Sequence, residues 1–109
     1  MSGFFYVQNT QTLKMHFLYI LHSQKLNKFY IGETHDVELR LERHNSDYYD
    51  NKWTTKGKPW ELYLVIECPN KPVALKIERH IKKMKSKKYI QNLKSYPEII
   101  EKLKSKYSS

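Results

Sequence analysis

Cysteine is nearly absent from this chain of 109 residues, and Cys68 stands alone. An intrachain disulfide is therefore excluded, as is a metal site built on several cysteines. Glycine and proline are sparse, with three and four residues, and no internal repeat or low-complexity tract occurs. No run of about 18 apolar residues exists, so no transmembrane span is predicted. The amino terminus lacks a basic stretch followed by a long apolar segment, so no secretory signal is expected. Acid is short too: 11 Asp and Glu stand against 20 Lys and Arg, a formal net charge of +9. These absences predict a soluble, cytoplasmic protein with no membrane partner, as a monomer or weak dimer.

Hydrophobic residues make up 39% of the chain and aromatics 14%, including nine tyrosines. That is enough apolar content for a single domain, since domains cluster near about 100–150 residues. Residues 1–14 (MSGFFYVQNTQTLK) show no sustained period and read as a loosely ordered extension, leaving one domain over residues 15–109. His16 to His22 and Lys28 to Thr34 are rich in aromatic and β-branched residues, and the polar SQKLN between them predicts a hairpin. Gly32 inside the second strand predicts a bulge or a close approach by another group.

His35 to Asn45 reads as a helix capped by Asp36, with Val37 and Leu41 on one face and Arg40 and His44 on another. Ser46 to Pro59 reads as a loop and Trp60 to Glu67 as a third strand. Val73 to Lys85 is the clearest helix, with Ala74, Ile77, Ile81 and Met84 forming an apolar stripe. Lys88 to Leu93 and Pro97 to Tyr107 predict two more helices. The order β-β-α-β-α-α implies an α+β fold, a small antiparallel sheet packed by helices.

The charge is not spread evenly. Between Cys68 and Pro97 there are nine Lys or Arg and one acid, Glu78. Self-repulsion at that density favours a polyanionic partner over a merely solvated face. Lys76, Arg79, Lys82, Lys83, Lys85, Lys87 and Lys88, with Lys56 and Lys58 from the long loop, are the candidate nucleic-acid contacts. Glu78 has two readings. By spacing it pairs with Lys82 or Arg79. A carboxylate facing a polyanion also makes sense if a cation bridges the two, and Mg²⁺ takes one or two carboxylates together with phosphate oxygens and water. Trp60, beside Pro59 at a strand start, reads as core. Trp53, Tyr48 and Tyr49 could stack on bases or cover the loop. The histidines lack a ligand-like set with cysteines, so no structural zinc is expected.

Tyr19 lies in Leu18-Tyr19-Ile20 and Tyr30 in Tyr30-Ile31-Gly32. Arg40 follows ten residues after Tyr30, His44 four after Arg40, and then comes the lone Glu78. This ordered set resembles the GIY-YIG nuclease superfamily, and YIGET, ELRLERHN, KPWEL and ALKIERHIKKMKSKKYI are similar to its small stand-alone bacterial members. One departure is Leu18, where the family's first motif has glycine. The resemblance implies a three-stranded antiparallel sheet flanked by helices. It implies site residues Tyr19, Tyr30, Arg40, His44, Glu78 and Asn92, with Gly32 as a structural motif residue and Glu78 as metal ligand for one Mg²⁺ or Mn²⁺ weakly held without substrate.

The activity implied is metal-dependent endonucleolytic hydrolysis of DNA, with RNA as another substrate class. Low inherent sequence specificity is expected in the absence of an appended recognition domain, with structure-selective action in repair or recombination. Arg40 would stabilise charge on the phosphate. Tyr19 is the first choice as base, with Tyr30 or His44 assisting. A phenol near its ordinary pKa of about 10 needs roughly 4 kcal/mol of help to act near neutrality, so a cation and a guanidinium must lie close by. The rival readings are a catalytically silent DNA- or RNA-binding module and a basic structural protein whose tyrosines only pack.

Overall fold

Period-2 alternation and the aromatic, β-branched content of three segments build the sheet. In the computed structural model, which describes residues 15–46, 48 and 52–108, strands β1 (His16–Ser23), β2 (Lys28–Thr34) and β3 (Trp60–Cys68) lie in the order β2-β1-β3. Both pairings are antiparallel. β1 is central and its middle, Leu18 to Leu21, is wholly buried. Tyr19 pairs with Gly32 on β2 and with Val65 on β3. The register against β3 slips between Ile20 and Leu21, an extra residue on β3 that bends the strand. The predicted extension over residues 1–14 lies outside the described residues, as does Tyr49.

Among the described residues five helices flank the sheet: α1 (Val37–His44), α2 (Lys52–Lys56), α3 (Lys71–Met84), α4 (Lys87–Ser95) and α5 (Pro97–Ser108). Side chains alternate across the sheet, so β1 serves two cores. Leu18 and Ile20 face α3, α4 and α5, packing with Ile66, Val73, Ala74, Ile77, Ile81, Ile90, Leu93 and Leu103. Tyr19 and Leu21 face the other way, with Trp60, Tyr30, Val37 and Leu41. The fold is thus the α+β arrangement expected from the sequence.

Three local predictions are revised. The segment from Ser46 to Pro59, read as loop, contains the single-turn helix α2. It is held in place by the Trp60 indole, which donates to the Thr54 carbonyl at 2.8 Å. Helix α3 starts at Lys71, two residues earlier than predicted, because Asn70 caps it through the Val73 N–H and Pro72 is tolerated in the first turn. Met84, placed in the apolar stripe, is exposed beside the left-handed Lys85 that ends the helix.

Candidate active site

The site starts at the middle of β1. Tyr19 projects towards α1, and its phenol oxygen lies 3.2 Å from His44 Nε2. Both residues are out of solvent, at 0% and 2% exposure. Gly32 makes the placement feasible. A Cβ there would come within 2.7 Å of the Tyr19 oxygen and 2.8 Å of Cζ, so only glycine lets the ring lie flat against β2. Close approach, rather than a bulge, explains this glycine.

Tyr30, on β2, is only partly buried. Its ring centroid lies 4.3 Å from His44 and 6.1 Å from Tyr19. The Trp53 and Trp60 rings continue the cluster at 6.2 and 6.3 Å from Tyr30. Trp60 is core, as predicted, whereas Trp53 keeps an exposed edge.

Helix α1 brings His44 and Arg40 to this place. Asp36 accepts the Leu39 N–H at 3.0 Å and fixes the start of the helix, and the four-residue spacing aligns the two side chains. The His44 pKa falls from 6.5 to about 4, first because burial disfavours the charged ring and second because the Arg40 guanidinium repels it. His44 is therefore a neutral imidazole at physiological pH, able to accept the Tyr19 proton at Nε2 when its other nitrogen carries the hydrogen.

Asn45 holds the end of α1 in register with β3. Its Oδ1 accepts the Trp60 N–H at 2.6 Å and its Nδ2 donates to the Trp60 carbonyl at 2.9 Å. Sequence reasoning did not single out this clamp as functional. The adjacent His-Asn pair was visible, but its partner fifteen residues away was not.

Glu78 comes from the other side of the sheet. It pairs with Lys82 at 2.6 Å, one turn along α3, as the simpler reading of its spacing predicted. Lys85 and Lys87 border a hollow together with Lys28, Phe29 and Ile31 of β2. Tyr30, between Phe29 and Ile31 on β2, turns to the opposite face of the sheet with Tyr19. The aromatic and imidazole contacts themselves do not extend to Glu78. Asn92 sits on α4, where its carbonyl accepts the Tyr96 N–H at 2.7 Å and closes the helix.

Of the candidate nucleic-acid contacts, Lys56, Lys76, Arg79, Lys82, Lys83, Lys85 and Lys88 are exposed, and Lys58 is half-buried. Lys87, also exposed, donates to the Asn27 carbonyl at 2.6 Å and so ties α4 to the β1–β2 turn. Tyr48 is exposed beneath the Arg43 guanidinium, 4.3 Å from its ring centroid.

A three-stranded antiparallel sheet in the order β2-β1-β3, flanked by helices and holding a buried tyrosine against a neutral histidine, defines a small α+β class of domain. The chain belongs to the GIY-YIG family: the model of the GIY-YIG catalytic domain matches residues 15–91. It is 33% identical over 86 residues to a UPF0213 protein of Syntrophus aciditrophicus, covering 79% of this chain and 98% of that one. It is also 37% identical over 71 residues to structure-specific endonuclease subunit SLX1 homolog 1 of Trypanosoma cruzi, covering 60% of this chain and 13% of that protein. A structure-specific endonuclease subunit SLX1 of Cryptococcus neoformans matches at 33% over 54 residues, 48% of this chain and 11% of that one. The chain thus corresponds to a small part of the SLX1 proteins and to nearly all of the UPF0213 protein. No solved structure matches it.

Proposed function

We propose that this protein hydrolyses DNA phosphodiester bonds endonucleolytically, using one divalent cation held by Glu78. The observation that carries this reading is the Tyr19–His44 hydrogen bond at 3.2 Å, set beside Tyr30 and under the charge of Arg40, in a chain of the GIY-YIG family.

The donor set fits Mg²⁺ or Mn²⁺. Among the described residues no group of three His, Cys, Asp or Glu side chains could hold a metal ion. A cation at Glu78 would draw its other ligands from water and phosphate oxygens, the coordination that Mg²⁺ favours. When bound, it supplies charge relief to the phosphate and to the leaving oxygen.

The chain's own residues do the rest. Arg40 grips the phosphate with its two-pronged guanidinium. Tyr19 is wholly buried, so it takes a proton from the attacking water only where bound substrate opens the pocket, as its own proton passes to His44 Nε2. A standing phenolate in an apolar pocket is costly, so a concerted hand-over suits the burial of Tyr19 better than a permanent charge. An arriving phosphate also offsets Arg40, which removes one of the two causes that depress His44. Tyr30, partly exposed, lines the approach, and the family resemblance adds Asn92 to the same site. Lys and Arg contacts to backbone carry no sequence information, so low inherent sequence specificity is expected. The relatives named as structure-specific endonuclease subunits make flapped and branched DNA the first substrates to try.

The Glu78–Lys82 pair favours a second reading, a catalytically silent DNA- or RNA-binding module, because Lys82 already neutralises the carboxylate. One experiment separates the two. Linear, flapped and branched DNA are incubated with Mg²⁺ or Mn²⁺ and the wild type, Glu78→Ala or Tyr19→Phe. The nuclease reading expects cleavage by the wild type and its loss in both variants, with binding retained. Binding without cleavage by the wild type supports the silent module.

A further inference from the structure

We propose that the groove between α3 and α5 is a second nucleic-acid site, which grips a stretch of phosphate backbone other than the one presented to Glu78. This rests on the nucleic-acid reading above and adds α5, whose Lys106 and Tyr107 lie beyond the matched residues 15–91, to the binding surface.

The groove has a volume of about 530 Å³ and is lined by Lys76, Arg79, His80, Lys83, Met84, Lys106 and Tyr107. Four of these carry positive charge and none is acidic. The floor is ordered: His80 Nδ1 and the Tyr107 hydroxyl are 2.9 Å apart and their rings meet edge-on at 5.7 Å. Tyr89 backs the same histidine, with ring centroids 6.0 Å apart. Burial first, and then the charges of Lys106 and Lys83, lower the His80 pKa. Lys106 lies over the Tyr107 ring at 5.3 Å, so the C-terminal helix contributes both a cation and the surface that supports it.

Helix geometry separates this groove from the candidate active site. At about 100° per residue, Lys76 and Lys83 lie about 140–160° around α3 from Glu78. Glu78 lies on one flank of the helix, outside the groove lining. The opposite flank faces α5. The basic run between Cys68 and Pro97 is therefore two sites rather than one. A phosphate backbone suits the second because an open, acid-free channel of cations with an aromatic floor meets both the charge and the stacking face of a nucleic acid. The backbone can come from the opposite strand of the same duplex or from another arm of a branched one.

The test is fluorescence anisotropy with labelled linear duplex, flapped duplex and single-stranded DNA across a salt series. Wild type is compared with the double variant Lys83→Gln/Lys106→Gln. Both lysines are exposed, so the fold is expected to persist; Lys106→Gln alone serves if the double variant unfolds. The expected result is about ten-fold or greater weakening near physiological salt. The slope of log K against log salt should become shallower by about 2, close to one unit for each phosphate that is no longer neutralised. Equal weakening on linear and flapped DNA assigns the groove to the opposite strand, and weakening confined to the flap assigns it to a second arm. Unchanged affinity and slope in the variant, with normal wild-type binding, overturn the groove and leave the nuclease reading standing. No binding by the wild type overturns the nucleic-acid reading itself. Amide signals of His80, Lys106 and Tyr107 that shift with a polyglutamate peptide but not with DNA would assign the groove to an acidic protein segment and overturn the proposal.

Discussion

Gly32 and Tyr19 face each other across the β1–β2 pairing, and a single methyl group tests how tightly they fit. In Gly32→Ala the new Cβ would lie 2.7 Å from the Tyr19 hydroxyl, and Tyr19 has no solvent into which to move. Overpacking of this kind costs about 1–3 kcal/mol, and it pushes the phenol off His44. The expected outcome is a measurable drop in stability on chemical denaturation, with cleavage falling about a hundred-fold or more. His44 gives a second residue-level prediction. Its proton is bound with a pKa of about 4 in the folded protein, against 6.5 ordinarily. The unfolded chain therefore binds the proton more tightly, and acid favours unfolding. This contribution is fully present above pH 6.5 and is lost as pH falls towards 4. At about 1.4 kcal/mol per pKa unit it amounts to about 3 kcal/mol. Denaturation midpoints of wild type and His44→Gln between pH 4 and 8 check it: the variant's stability should vary less over this window.

At the scale of elements, α1 and β3 are joined by one side chain. Asn45→Ala removes both hydrogen bonds to the Trp60 backbone and leaves those groups to water or to nothing. Removing bonds to part-buried groups costs about 1–3 kcal/mol. Because His44 is the neighbouring residue, cleavage should fall while DNA affinity, which the proposed reading gives to distant cations, stays within about two-fold; parallel nicking and anisotropy assays would show the split. The clamp also shows why some elements could be read from sequence and others could not. β1, β2, α1 and α3 announce themselves through local period and caps such as Asp36. Tyr19, Tyr30, Arg40 and His44 could be nominated because their order carries a family pattern. The Asn45–Trp60 clamp and the His80–Tyr107 contact join residues 15 and 27 positions apart, and no local pattern encodes such pairs. Helix α2 has five residues, too few for a helical period, and depends on Trp60 for its place.

For the whole molecule, two consequences of one charge distribution can be pulled apart. The formal excess of +9 draws a polyanion to the surface regardless of chemistry, whereas the proposed hydrolysis depends on one carboxylate set among those cations. Glu78→Gln separates the two with opposite signs. Replacing the acid by an amide removes a charge that repels phosphate and leaves Lys82 without its 2.6 Å ionic partner, so Lys82 can turn to the nucleic acid instead. The exposed i,i+4 pair contributes only about 0.3–0.5 kcal/mol to stability, so the fold should hardly notice. DNA affinity at moderate salt should therefore stay equal or rise slightly, and its salt dependence should steepen or hold. Cleavage with Mg²⁺ should fall by about a hundred-fold or more, because a neutral amide is a poor ligand for a hard dication. Anisotropy titrations and nicking assays on the same flapped substrate read both quantities. Cleavage that survives in Glu78→Gln would remove the carboxylate from the reaction, while affinity that collapses would mean that Glu78 holds the basic face together rather than a metal.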